Sequence, residues 1–225
     1  MWPHRSLLAV GFAAVGILCA SPASSVEWTG GAVAGYNGGP GGTAGLTASK
    51  LVEAFPIAVR LGIGYTAVEP GSPTDARRIF INDATNGTPE ERGWRWDYRF
   101  DVAYPVSIGA LQDFFVFGGV RYSRHTSNFN FIGGNEDFDV TSNQWGWGLG
   151  LDKLLRMSSK TDFVFTTGVD YYLSGKLQGH DTSYQDGGED VNPRLDFTYA
   201  DADAAINQPV LEFRFMLGIN YHFGR

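Results

Sequence analysis

Residues 211–223 read Leu-Glu-Phe-Arg-Phe-Met-Leu-Gly-Ile-Asn-Tyr-His-Phe, and this stretch decides the fold. Leu211, Phe213, Phe215, Leu217, Ile219, Tyr221 and Phe223 fall on one face at period two. Glu212, Arg214, Met216, Gly218, Asn220 and His222 fall on the other. Side chains alternate sides along a strand, so the segment is a strand with one apolar and one polar face. The same pattern recurs upstream. Trp94, Trp96, Tyr98, Phe100, Val102 and Tyr104 stand against Arg95, Asp97, Arg99, Asp101 and Ala103. Ile57, Val59, Leu61, Ile63 and Tyr65 oppose Ala58, Arg60, Gly62 and Gly64. Trp145, Trp147, Leu149 and Leu151 oppose Gln144, Gly146, Gly148 and Gly150. Segments 114–122 and 163–171 alternate with less contrast, and 28–36 and 44–52 are rich in small residues. Eight strands result.

Composition agrees. The 225 residues are 43% hydrophobic, 18% charged and 14% aromatic, with 30 glycines. Disorder needs few aromatics and much charge, which excludes it here. So many glycines would sit badly in a helical bundle. The only long apolar run is N-terminal, which excludes a polytopic helical membrane protein. That run, 7–20, follows Arg5 and precedes small residues at Ala23 and Ser25. It reads as a secretory signal over 1–25, leaving 26–225 as one barrel domain. Cys19 has Leu18 before it, where a lipoprotein signal wants a small residue, and it departs with the signal. The mature chain then has no thiol, and its formal charge is -8, from 16 basic and 24 acidic residues. That acidity disfavours nucleic acid as a partner.

Connector lengths point to architecture. Short links fall at 53–55, 105–112 and 153–161, and longer polar links at 37–43, 68–93, 123–143 and 173–209. Alternating short turns and long loops suit an up-and-down barrel across an outer membrane. Each apolar face covers roughly the 9–11 residues that a tilted strand needs to cross hydrocarbon. Tyr36, Tyr65, Trp94, Tyr122, Trp145 and Tyr171 near the strand ends fit an interfacial aromatic girdle. A soluble sandwich also alternates, but its water-facing side is rarely built of glycine and paired Arg/Asp. In a narrow lumen, glycine relieves crowding and charge must find charge. The fold class is therefore all-β: an eight-stranded antiparallel transmembrane barrel with short periplasmic turns and long extracellular loops.

Two motifs carry a family resemblance. Leu46-Thr47-Ala48-Ser49-Lys50-Leu51, a short turn, then Phe55-Pro56-Ile57-Ala58-Val59-Arg60-Leu61-Gly62 resembles the second strand, turn and third strand of the small OmpA/OmpX-like barrels. Gly218, Tyr221 and Phe223 in the closing segment are similar to the C-terminal signal read by the barrel-assembly machinery. Gly224 and Arg225 follow the last aromatic, where such chains usually stop, and Met216 sits where a polar residue is commoner. The resemblance implies envelope integrity, adhesion or defence against host factors. It also implies outer-membrane lipids, lipopolysaccharide and the assembly machinery as partners. No peptidoglycan-binding domain is expected after the barrel, so that part of the family's role is not carried over.

On the inward face lie Arg60, Arg95, Asp97, Arg99, Asp101, Arg121, Asp170, Glu212 and Arg214, five cations and four anions. An eight-stranded interior is just wide enough for side chains, so these groups should interlock and close the lumen. Inward glycines at 62, 64, 118, 119, 146, 148, 150, 168 and 218 leave a narrow solute channel as the alternative.

Sites for chemistry are thin. His125-Thr126-Ser127, with Glu136 as an orienting acid, resembles the His-x-Ser pair of lipid A deacylases. That family carries its pair on a lipid-facing surface, whereas alternation turns His125 and Ser127 inward. His180, Asp181, Asp186, Glu189 and Asp190 lack the spacing of an ordered cation loop. No cofactor, metal or catalytic set is expected. Loop 173–209 holds seven carboxylates against Lys176 and Arg194, and 194–199 alternates, suggesting a projecting edge strand for a protein partner. The expected role is non-enzymatic, carried by the loops, with a lipid-modifying enzyme as the least favoured reading.

Overall fold

The computed structural model describes residues 26–52, 55–108 and 111–223. In chain order its strands are β1 (Glu27–Asn37), β2 (Pro40–Ser49), β3 (Ala58–Val68), β4 (Thr88–Ile108), β5 (Leu111–Ile132), β6 (Asp137–Arg156), β7 (Thr161–Tyr172), β8 (Lys176–Gly179), β9 (Thr182–Tyr184) and β10 (Leu211–Phe223). Strands β1 to β7 pair each with the next, and β10 pairs with both β7 and β1. All pairings are antiparallel, so eight strands close into a barrel and no sandwich remains. The expected signal over 1–25 lies outside the described residues, as do Gly224 and Arg225.

Closure follows from the alternation. On β4, Arg95, Asp97, Arg99, Asp101 and Ala103 are buried while Trp96, Tyr98, Phe100, Val102 and Tyr104 are exposed. The same parity holds on β10, with Phe213, Phe215, Leu217 and Ile219 turned out to lipid. A one-residue slip would bring every arginine to the lipid face, so the register is strongly specified.

Several boundaries differ from the sequence expectation. The 37–43 link is only a turn at Gly38-Gly39, because Pro40 to Thr43 already pair with β1. The glycines here are packing devices: a Cβ on Gly41 would run into the Tyr65 carbonyl on β3. Strand β2 stops at Ser49 rather than 52, where Lys50 turns left-handed at φ 55°. The 123–143 link is mostly ladder, since β5 and β6 continue to a short turn at 133–136. Residues 194–199 form no strand. Thr198 instead caps a helix.

That helix and one other build a cap over the long-loop end. Helix α1 (Pro73–Phe80) starts at Ser72, whose hydroxyl accepts from the Asp75 amide, with Pro73 in the first turn. Helix α2 (Tyr199–Ile206) has a capping box between Thr198 and Asp201 and ends at left-handed Asn207. Alone, two-turn helices are marginal, so packing must hold them. Ala76, Ile79 and Phe80 of α1 and Ala202, Ala205 and Ile206 of α2 bury against Phe129, Phe131, Phe138, Val140, Leu177 and Tyr184.

Polarity therefore inverts along β5 and β6. Below the row Tyr98–Tyr122–Trp145, the inward face is charged and the outward face apolar. Above it, inward positions become Phe129, Phe131, Phe138 and Val140, while outward ones become Arg124, Asn128, Asp139 and Asn143. One ladder thus passes from a lipid environment into a water-soluble cap with its own core.

Candidate functional site

The lumen brings its charges together in layers. Asp170 on β7 sits at the centre: Arg99 Nη1 donates to it at 2.8 Å, Arg121 Nε at 2.8 Å and Arg214 Nη1 at 3.0 Å. Arg121 also reaches Asp101 at 2.7 Å. Toward the cap, Arg95 pairs with Asp97 at 3.0 Å and Glu212 at 3.3 Å, and Tyr172 donates its hydroxyl proton to Asp97 at 2.9 Å. Toward the periplasm, Arg60 pairs with Asp152 at 2.6 Å. All nine residues placed inward by the sequence are there, and each has an opposite charge within 4.0 Å.

Sequence reasoning missed Asp152, which makes the count five arginines against five carboxylates. The contrast between the faces fades after Leu151, yet one further step of the same parity turns Asp152 inward. Phe117 was missed as well. It is buried with Ala58 and Ala103, and the Arg60 and Arg214 guanidinium carbons each stand 5.2 Å from its ring centre. Such cation–π contacts help a desolvated guanidinium that has few acceptors left.

At the periplasmic rim, His222 bonds Asp162 through Nε2 at 2.6 Å and Thr29 through Nδ1 at 3.0 Å. A hydroxyl, imidazole and carboxylate in series resemble a hydrolytic array. Strands β1, β7 and β10 each have a partner on both sides, so the backbone amides around this group are engaged in the ladders. Its geometry is that of a clasp over the β10–β1 seam. Gly218, Tyr221 and Phe223 lie at the same seam, where Gly218 meets Val33 and Tyr221 meets Gly30. A Cβ on Gly218 would run into the Ala32 carbonyl, so this glycine is required by strand packing.

The other chemical candidates scatter. His125 Nε2 lies 3.0 Å from Ser127 Oγ, and that hydroxyl donates to the Pro70 carbonyl at 2.8 Å. Both are buried beneath the cap, facing inward. Glu136 engages Asn82 and Arg77 instead of orienting the imidazole. In the acidic loop, Asp181 pairs with His180, and Asp190 accepts from the Gln185 amide. Among the described residues, no three metal-ligating side chains converge. Phe197 and Tyr199 pack against the cap core rather than lining a strand edge.

Open space falls in separate chambers. An outer one of about 420 Å³ lies under the cap, lined by Glu69, Arg95, His125, Gln208 and Glu212. A small one of about 70 Å³ lies against the glycine- and threonine-lined wall of β1–β3. It shares Thr47, Arg60, Asp152 and Asn220 with a periplasmic vestibule of about 280 Å³. The belt around Asp97 and Asp170 lies between the outer chamber and the other two.

No family model matches the chain, and no curated protein matches it. Solved structures do. A major outer membrane protein from Thermus thermophilus is similar with a TM-score of 0.71 and 25% identity, over 88% of this chain and 100% of that one. The chain is a small outer-membrane β-barrel. Weaker likenesses are Neisserial surface protein A, at TM-score 0.40 and 10% identity, and Acinetobacter baumannii CarO2, at 0.40 and 13%. They cover 90% and 89% of this chain and all of theirs. The barrel resides in the bacterial outer membrane with its apolar strand faces in lipid and its helical cap at the long-loop end.

Proposed function

We propose that the protein is a non-enzymatic outer-membrane barrel whose charged interior forms a plug and whose cap acts at the cell surface. The observation that carries this is the convergence of three arginines on Asp170 at mid-lumen. A chain of guanidinium–carboxylate pairs crosses the barrel at this level, and in an interior this narrow it leaves side chain where a water column would run. The cap supports a surface role, in envelope integrity or adhesion, because it carries a hydrophobic core of its own and an acidic exterior. Lipopolysaccharide and other outer-membrane lipids, the barrel-assembly machinery and a protein contacting the cap are the partners this reading implies.

A second reading has one observation in its favour. The periplasmic vestibule and the 70 Å³ chamber share Thr47, Arg60, Asp152 and Asn220, a line of open space that reaches mid-barrel. Opening the Asp170 layer would turn it into a solute path. Planar-bilayer recording separates the two. The plugged barrel gives no steady conductance, and Asp170→Asn introduces brief leak events. A stable, ohmic current from the native protein overturns the plug and establishes the channel.

A further inference from the structure

The outward face just above the aromatic row holds two exposed cations in a fixed arrangement. Arg124 on β5 is paired in register with Asn143 on β6, and Asn143 with Lys176 on β8. Trp96 on β4 completes the row on the other side of Arg124. Adjacent strands lie about 4.8 Å apart, so the two cations stand about 10 Å from each other with an amide between them. Both are exposed, and among the described residues neither has an ion-pair partner. Two carboxylates on this face, Asp137 and Asp139, lie higher on the ladder and accept from Asn128.

Directly beneath, the surface changes character. Tyr98, Tyr122, Arg124 and Asn143 line a shallow pocket of about 360 Å³. Tyr98 and Tyr122 also line the top of a lipid-facing groove of about 930 Å³. That groove crosses β5 to β1 past Val120, Phe100, Leu61 and Ile63, to a floor that includes Ala44 and Gly30. The rings at the junction pack together, with Tyr122 and Trp145 centroids 4.9 Å apart. A polar, cationic pocket set on an apolar groove at the membrane–water boundary has the shape and polarity of an amphiphile.

We infer that this face is a binding site for a membrane lipid with a phosphate-bearing, anionic headgroup. The phosphate lies between Arg124 and Lys176, Asn143 donates to it, and an acyl chain lies in the groove below. Arginine offers a planar fork that matches phosphate oxygens, and lysine a mobile point charge. A neutral or zwitterionic headgroup gains little from two uncompensated cations at this height, so the site discriminates by charge.

Native mass spectrometry of the mature barrel, with dioleoylphosphatidylglycerol or dioleoylphosphatidylcholine added, tests the assignment. The native protein should retain the anionic lipid preferentially, and removing each cation should lower that preference about fivefold. Arg124→Gln with Lys176→Gln should bring retention to the phosphatidylcholine level, and Arg156→Gln, at the other end of the barrel, should change nothing. Both side chains are exposed and unpaired, so folding should survive, which the heat-modifiable gel shift checks. High salt applied to the native barrel repeats the test without any substitution, because screening should weaken the preference. Equal retention of the two lipids, or a preference that survives both the double substitution and high salt, overturns the site.

Discussion

Arg60 and Asp152 meet at 2.6 Å across the lumen, from β3 on one wall and β6 on the other. Their strands are separated by β4 and β5, so the pair braces the barrel instead of joining ladder neighbours. Arg60 is partly exposed to the periplasmic vestibule, whereas Arg99, Arg121 and Asp170 in the layer above it are buried. The buried layer should therefore matter more for stability.

Asp170→Ala should leave Arg99, Arg121 and Arg214 without their shared acceptor, at a cost of about 3–5 kcal/mol. Urea titration in lipid vesicles reads this directly. Arg60→Ala should cost less, because water can replace the lost partner. Equal losses would mean that water reaches both layers.

Arg121 and Asp101 are buried and 2.7 Å apart, so their double-mutant cycle should give a coupling of about 2 kcal/mol. A coupling near zero would show that other groups take over each partner.

Gly148 faces the same layer from β6. A side chain there would run into Asp170 and the Arg121 guanidinium, so Gly148→Val should destabilise by about 1–3 kcal/mol. Leu149, its neighbour on the lipid face, should instead be intolerant of charge, with Leu149→Arg costing about 2–4 kcal/mol near the midplane. Refolding yields in vesicles for the two variants and for Leu149→Val check both statements.

The cap should loosen without the barrel. Phe129 is fully buried against Phe138, and Phe129→Ala should cost about 3–5 kcal/mol locally. Limited proteolysis should then cut within 173–210 while the folded gel mobility persists. Loss of both together would make the cap part of the barrel's cooperative unit.

Acid should loosen the cap at α2. Hydrogen bonds from the Thr198 hydroxyl and then the Thr198 amide hold Asp201 below the usual carboxylate range. A carboxylate depressed in the folded state stabilises above its unfolded value, and that contribution is lost as pH falls through the folded value. Amide exchange over 198–206 should therefore accelerate below about pH 4 and be flat above about pH 5. An Asp201→Asn variant should show no such step.

The barrel was legible because period two is clear on β3, β4, β6 and β10 and the polar face of β4 is too charged to meet lipid. Arg95, Asp97, Arg99 and Asp101 at alternate positions announce an interior wall from residue order alone. Asp152 escaped because its strand's apolar run ends at Leu151, although the parity continues. The cap escaped for a different reason. Its helices are only two turns long, and their apolar residues join a core with residues distant in sequence, such as Phe129 and Leu177. Local signals did exist in Ser72-Pro73 and in the Thr198–Asp201 box, but a capping pattern without a long periodic stretch reads as a loop. The 123–143 stretch reads as a loop because polar residues move to the outward face, which signals a change of solvent as readily as an end of structure.

The cap core also imposes a condition on biogenesis. Its residues come from the β3–β4 link, from the tips of β5 and β6 and from the long β7–β10 link, so no two consecutive strands contain enough of it to fold. Helix α1 has no covering partner until α2 stands beside it, whichever link crosses the membrane first. The Ser72 amide bound to the Ala205 carbonyl at 2.8 Å can form only then. Closure of the cap thus requires the β3–β4 and β7–β10 links on the same side of the membrane, and a barrel lacking either would display its aromatic core to the outside.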